Sequence, residues 1–442
     1  MRVSSPARPS EGVDAGTASG RRGDRRAVFA GGIGNFIEWY DYGVYASLSP
    51  VISSLFFPNE SAVASTLSTF AVFGVGFIVR PLGGLFFGQL GDRRGRRTAL
   101  GLSLIMVSLS TLGMGLLPVF AHAGLVAPLL LLVFRLIQGF SAGGEFTGSA
   151  TMMVENAPAG RRGRVGSWQQ FSVVTGTLAG VLIVTAITNF GSAELLSAWG
   201  WRIPFLIALP LGAVGFYIRF RMEDTPHFQA LAQAGEVAER PTTEAVKTQR
   251  GAMVMAFFYT ALPNIGFYTF LTYTPTFLRN QGGLSLGDAY IVNVIGMATY
   301  AVLTLVVGRA SDRIGRRPVL IFHAVAFFVS AIPIYLLMSS GSFWVAIVAQ
   351  LPAMLIMACY SGPGTAGLTE LFPTRLRFSG MALPYNLSSA LFGGTAPFVA
   401  TALIAWLGTP LAPAFWAMLA AIPTVIVYLR MRETAFTGLR DR

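Results

Sequence analysis

Twelve runs of apolar residues along this chain are long enough to cross a lipid bilayer, and that repetition limits the fold more than any other feature. The hydrocarbon core takes roughly 20 residues of helix. In the first half the runs cover about 27–57, 62–88, 98–118, 124–155, 165–189 and 201–221. In the second half they cover about 251–279, 286–308, 318–338, 342–371, 378–406 and 411–430. Several are longer than the bilayer requires, so tilted or kinked helices are expected. Of the 442 residues, 12% are charged, about half the share of a typical soluble domain. The expected fold class is an all-α membrane protein with the lipid bilayer as its surroundings.

A net charge of +12 raises the possibility of nucleic-acid binding, but the distribution of the charges argues against it. Arg80 and Arg135 lie inside apolar runs, and only Arg202 and Arg279 face the odd-numbered connections. The other 28 of the 32 lysines and arginines lie in the tails or the even-numbered connections. That is the positive-inside pattern, and it places both termini in the cytoplasm of a multi-pass cytoplasmic-membrane protein. The single cysteine, Cys359, allows no internal disulfide, and the scattered His122, His227 and His323 suggest no metal site. Residues 1–26 lack the apolar core of a signal peptide and are expected to form a disordered cytoplasmic tail.

The stretch 222–250 is the only long polar segment inside the chain. It divides the protein into a six-helix bundle at 27–221, a cytoplasmic linker, and a second six-helix bundle at 251–432, with a short tail at 433–442. The two halves repeat one another. "GQLGDRRGRR" (88–97) returns as "GRASDRIGRR" (308–317), "ENAPAGRR" (155–162) as "ELFPTRLR" (370–377), and "RMEDT" (221–225) as "RMRET" (430–434). The offsets are 220, 215 and 209 residues, in one order, which points to a duplicated unit. Two such bundles rocking about a central site is a transporter architecture.

The charged decapeptides suit a gate. Gly88, Gly91 and Gly95 permit a sharp turn. Asp92 can meet the positive end of a helix dipole. Arg93, Arg96, Arg97 and Arg161 can pair with carboxylates at neighbouring helix ends, Glu155 being the obvious acceptor. In the second half Asp312, Arg316, Glu370 and Arg375 offer the same set. These residues either latch the cytoplasmic face when it closes or fix the topology alone.

The first decapeptide resembles the signature between helices two and three of the major facilitator superfamily, and the second departs from it at Arg309, Ala310 and Ser311. The likeness narrows with "GNFIEWYDYGVYASLSP" (34–50), "RLIQGFSAGGEF" (135–146), "GWRIPF" (200–205), "ELFPTRLRFSG" (370–380) and "YNLSSALFGGTAPFVAT" (385–401). Together these resemble the metabolite:H+ symporter family, with its permeases for 2-oxoglutarate, citrate, shikimate, proline and betaine. The resemblance implies the major facilitator fold, a proton as coupling ion and no cofactor. "TGTLAG" (175–180) stands where drug antiporters carry a glycine-rich motif, which weighs against drug exchange.

Ionisable residues inside spans are costly and usually functional. In the first half they are Glu38, Asp41, Arg80, Arg135 and Glu145; the second half has almost none. Glu38 and Asp41 share a helix face, and Arg80 lies at the depth of Glu38. Arg135 and Glu145 are about 15 Å apart along one helix. Glu38, Asp41 and Glu145 are candidate proton carriers, and Arg80 and Arg135 candidate contacts for an anionic substrate. Displacement of a carboxylate from an arginine by substrate would couple the two; a static ion pair is the alternative. Tyr42, Tyr268 and other tyrosines are candidate cavity liners. So are Tyr385 and Asn386 in the family-like stretch, and Gln169 with Gln170. Gly393 and Gly394 suit close helix approach.

The expected function is proton-coupled import of a small polar metabolite by a monomer, with a mono-, di- or tricarboxylate as the leading cargo. An osmolyte symporter of the proline and betaine kind is the alternative, weakened by a chain that stops about a dozen residues past the last run, with no room for a cytoplasmic coiled coil. A membrane-embedded enzyme would need a nucleophile–base cluster or metal ligands. A channel would not need two latches on one face.

Overall fold

The computed structural model describes residues 16–59, 61–94, 96–158, 160–220, 241–373 and 376–439, excluding the side chains of 16–30, 88, 89, 91–97, 193, 218, 219 and 241. Among them no strand is present. The first long helix is α1 (Gly16–Ser47). Eleven other helices among the described residues, α1 not being one of them, are long and apolar enough to span a membrane: α2 (Ala62–Phe87), α3 (Thr98–Gly115), α4 (Val126–Glu155), α5 (Arg162–Phe190), α6 (Gly200–Tyr217), α7 (Arg250–Thr272), α8 (Leu286–Ile314), α9 (Arg316–Met338), α10 (Phe343–Glu370), α11 (Arg377–Leu407) and α12 (Ala412–Arg430).

Helix α1 begins at Gly16, eleven residues inside the segment read as a tail. Extending an existing helix needs no new nucleus, so Ala- and Arg-containing sequence upstream of a span readily continues it. Within the stretch read as a linker, Pro241–Thr248 is helical and packs on the start of α11, with Ala245 buried.

The duplication in the sequence reappears as a duplication of packing. In the first half α1 packs on α5 and α6, α2 on α4, and α3 on α4 and α6. In the second half α7 packs on α11 and α12, α8 on α10, and α9 on α10 and α12. The halves meet through α5 against α8 and α10, and through α2 against α11. Because α2 corresponds to α8 and α5 to α11, those two seams are equivalent.

Small residues let the helices close up, as apolar lipid offers no hydrophobic drive to bring them together. A Cβ on Gly180 of α5 would lie 2.8 Å from the Tyr40 carbonyl of α1. Large apolar side chains such as Leu82, Leu109, Val329 and Trp406 point outward around the bundle.

Three spans are interrupted at mid-depth. Helix α4 breaks after Ala142, at Gly143 and Gly144. Helix α7 ends in a π-turn at Tyr268–Thr272 before the segment Thr274–Asn280, and α11 contains a π-turn at Ser389–Gly394. Irregular turns inside helices free carbonyls and often mark functional positions. Pro275 has no N–H to give the Leu271 carbonyl, and Asn293 of α8 supplies the donor instead at 3.0 Å. Gln350 of α10 donates to the neighbouring Phe270 carbonyl at 2.8 Å.

Candidate functional site

Helices α1, α2, α3 and α4 bring the intramembrane charges of the first half together. Arg80 Nη2 donates to Glu38 Oε1 at 2.7 Å, both side chains being buried. The same nitrogen reaches the Ala142 carbonyl at the α4 break, 3.5 Å away. Arg135 donates to Gln138 one turn along its own helix and to the Phe73 carbonyl of α2 at 3.2 Å. Gln138 in turn donates to Thr111 of α3 at 2.9 Å.

The two guanidinium groups sit in an aromatic shell. The Arg80 carbon lies 5.0 Å from the Phe77 ring centre, 5.5 Å from Tyr42 and 6.0 Å from Trp39. The Arg135 carbon lies 4.4 Å from Tyr45, 4.9 Å from Phe73 and 5.1 Å from Tyr42. Tyr42 therefore stands between both cations. Aromatic faces stabilise a desolvated cation by about 2 kcal/mol, which helps hold two arginines where water is scarce. Asp41 is fully buried with Thr111, Glu38 and Arg135 as its polar neighbours, yet neither of its oxygens meets hydrogen-bond geometry.

Beside this cluster, between the halves, lies a small cavity of about 30 Å3, room for one water molecule. Trp39 and Gln170 line it from the first half, and Asn264, Tyr268, Tyr360 and Tyr385 from the second. Trp39 joins the cavity to the Arg80 shell. Tyr385 stacks on Phe146 of α4 at 3.9 Å and 6°.

A second constellation closes the face that carries the basic residues. Glu155 at the end of α4 accepts from Arg377 of α11 at 2.8 Å. Glu370 at the end of α10 pairs with Arg162 of α5 at 3.4 Å and with Arg316 of α9 at 3.7 Å. The exchange is reciprocal: each half's glutamate takes the arginine that lies seven residues beyond the other half's glutamate. Asp312 crosses the seam too, accepting from the Gly163 and Arg164 N–H groups at 2.9 and 2.8 Å while holding Arg316 at 2.8 Å. It meets the open, positive end of α5.

Past α12, Glu433 accepts from the N–H groups of Arg316, Arg317, Thr434 and Ala435 at 2.8–3.0 Å. Partial burial pushes its carboxyl upward. The four N–H donors together outweigh that and hold it below the usual carboxylate range.

The sugar (and other) transporter family model matches residues 27–245 and 232–441. The chain belongs to that family, within the major facilitator superfamily. It is a transporter, not an enzyme. The proline/betaine transporters of Escherichia coli strain K12 and Salmonella typhimurium are 36% and 35% identical to it over 94% of this chain and 85% of theirs. The glycine betaine/proline/ectoine/pipecolic acid transporter OusA of Dickeya dadantii is 34% identical over the same shares. Among solved structures, the proton:xylose symporter XylE bound to 6-bromo-6-deoxy-D-glucose superposes with a TM-score of 0.78. Its identity is 18%, covering 95% of this chain and 98% of XylE.

In this major facilitator frame several sequence expectations land elsewhere. Gln169 accepts from Thr365 of α10 at 3.0 Å across the seam, and it is Gln170 that lines the cavity. Asn386 donates to the Gly143 carbonyl of α4 rather than lining the cavity. Glu145 is buried at the first turn of the second α4 segment. Arg161 is exposed and the pairing falls to Arg162. The side chains of Asp92, Arg93, Arg96 and Arg97, and all of Arg375, lie outside the described residues.

Sequence reasoning passed over Arg162, Arg377 and Glu433. The repeat register held the signal for the first two, since both arginines end the repeated octapeptides. Gln138 and Thr111 carried none: a lone amide and a lone hydroxyl on apolar helices look like packing until Arg135 is seen beside them.

Proposed function

We propose that the chain imports a small zwitterionic solute of the betaine and proline kind together with a proton, by alternating access. The observation that carries this reading is a buried cationic cluster set beside an aromatic-lined cavity, with Trp39 shared between them. Arg80, held by Glu38, offers a planar fork for a carboxylate. Trp39, Tyr268, Tyr360 and Tyr385 offer ring faces for an alkylated ammonium group. The names of the relatives in three bacteria favour the same cargo. A carboxylate taking Arg80 would release Glu38 to be protonated, and Asp41, buried beside Thr111 and Arg135, is the second proton carrier. The latch at Glu155, Asp312, Glu370 and Arg377 breaks when the halves part on that side. The distribution of the basic residues supports a cytoplasmic position for this face and both termini, and enclosure of the site within one chain supports a monomer.

A second reading keeps organic acids as cargo, because Arg80 and Arg135 share Tyr42 and could together meet a dicarboxylate. The test is uptake into proteoliposomes under an imposed pH gradient, inside alkaline. Accumulation of labelled glycine betaine or proline, abolished by a protonophore, is the expected result. Accumulation of 2-oxoglutarate alone moves the assignment to organic acids, and downhill movement indifferent to the gradient removes proton coupling.

A further inference from the structure

Only two basic residues break the positive-inside pattern by facing the outer connections, Arg202 and Arg279. The structure accounts for the first. Arg202 donates to the carbonyls of Ala198 and Leu117 at 3.3 and 3.0 Å and lies 4.3 Å from the Trp201 ring centre, so it ties the outer end of α6 to its surroundings.

Arg279 has no such structural employment. It sits exposed near the end of Thr274–Asn280, the segment that follows the α7 π-turn, with no hydrogen bond or ion pair among the described residues. It lines a cavity of about 430 Å3, against about 30 Å3 for the central one. The volume falls in the range of small-molecule sites.

The lining comes from both halves. Ser49, Ser53, Ser54, Ser65 and Thr66 belong to the first, and Thr276 and Arg279 to the second. Ser49 and Thr276 lie 3.4 Å apart and bridge the seam. Among the described lining residues Arg279 carries the only charge, and the others named here are hydroxyls. Helix α2 begins here, at Ala62, so its positive end adds to the potential of the guanidinium. Glu60, in the same connection, lies outside the described residues.

The geometry points to this outer vestibule as a second, peripheral binding site that takes the carboxylate of the cargo before it reaches the centre. Arg279 holds the carboxylate and the hydroxyls replace its water. The segment bearing Arg279 runs back three residues from Thr276 to Tyr273, whose ring packs on Phe70 at 5.7 Å between the centres. A cation concentrated at the mouth of a path raises the capture rate of an anionic group and leaves the later steps alone. The inference rests on the proposed function only in taking a carboxylate-bearing cargo and an outward-facing vestibule.

The test is initial-rate uptake by Arg279→Cys in a Cys359→Ala background, before and after modification with thiol reagents carrying an ammonium or a sulfonate group. The expected result is a KM raised about 2- to 5-fold with the maximal rate unaltered, restored by the ammonium reagent and raised further by the sulfonate. An unchanged KM, equal effects of the two reagents, or a lower maximal rate at constant KM would overturn the site. If the Cys359→Ala protein takes up no betaine, it is the proposed cargo that fails. The same series read with 2-oxoglutarate then decides the vestibule by the same criteria.

Discussion

Asn386 of α11 donates its side-chain amide to the Gly143 carbonyl of α4 at 2.7 Å, one residue beyond the Ala142 carbonyl that Arg80 reaches. Carbonyls in the last turn of a helix have no partner within it, and the break at Gly143 and Gly144 makes such a turn at mid-membrane. One freed carbonyl serves the charged cluster and the next ties the opposite half to it. Separation of α2 and α4 from α11 on the cytoplasmic side would break that tie.

Asn386→Ala should therefore shift the carrier toward the inward-open state. Loss of one buried hydrogen bond is worth about 0.5–1.5 kcal/mol, roughly 2- to 12-fold in the equilibrium. Spin labels at the exposed Arg161 and Arg313 report the distance across the latch. A larger long-distance population is expected, and an unshifted distribution would show that the bond survives the transition.

Glu38→Gln should be more damaging to stability than its size suggests. The change leaves the Arg80 guanidinium buried without its charged partner, and breaking a buried pair costs about 3–5 kcal/mol. Thermal unfolding in detergent should fall clearly. Arg80→Lys should keep more stability and lose transport, because a point charge does not replace a planar fork packed between Phe77, Tyr42 and Trp39.

Asp41→Asn mimics a permanently protonated carboxyl. Gradient-driven accumulation should vanish while exchange of labelled for unlabelled substrate persists in part. Both activities are read in the same proteoliposomes, at known protein content. Retained accumulation would transfer the proton role to Glu38 or Glu145.

Glu433 should set an acid limit on closure of the face that carries the basic residues. Its carboxyl is held below the ordinary value, so its contribution is present above that value and is lost as pH falls through the lowered one. Acidifying the solution at that face into that window should lengthen the Arg161–Arg313 spin-label distance. Glu433→Gln should show the longer distance already at neutral pH and respond less to acid.

Much of this was legible in the sequence because the bilayer enforces it. A span must be apolar for about 20 residues, a charge inside it must have a reason, and basic residues collect on one side. Those rules act on composition along the chain, so the spans, the repeat and the charged residues Glu38, Asp41, Arg80, Arg135, Glu155, Asp312 and Glu370 could be read directly. Cargo was not legible in the same way. The sequence pattern left organic acids as the leading cargo, whereas the relatives and the ring-lined cavity favour a zwitterion, and a ring-lined cavity exists only once α1, α7, α10 and α11 meet.

What tertiary structure alone decided is partnership. The repeat places a glutamate and an arginine seven residues apart in each half, but only the packing of α5 on α8 and α2 on α11 makes Glu155 meet Arg377 and Glu370 meet Arg162. Neighbouring residues such as Gln169 and Gln170, or Arg161 and Arg162, are equivalent in a linear pattern. A helix turns about 100° per residue, so one of each pair faces the seam or a pathway that the other misses. The break in α4 shows the same division. Its two glycines are visible in the sequence, while the use of the freed carbonyls by Arg80 and Asn386 requires three helices to converge. Sequence determined which groups the membrane would tolerate, and the fold decided which of them touch, because contact depends on helix rotation and neighbour choice.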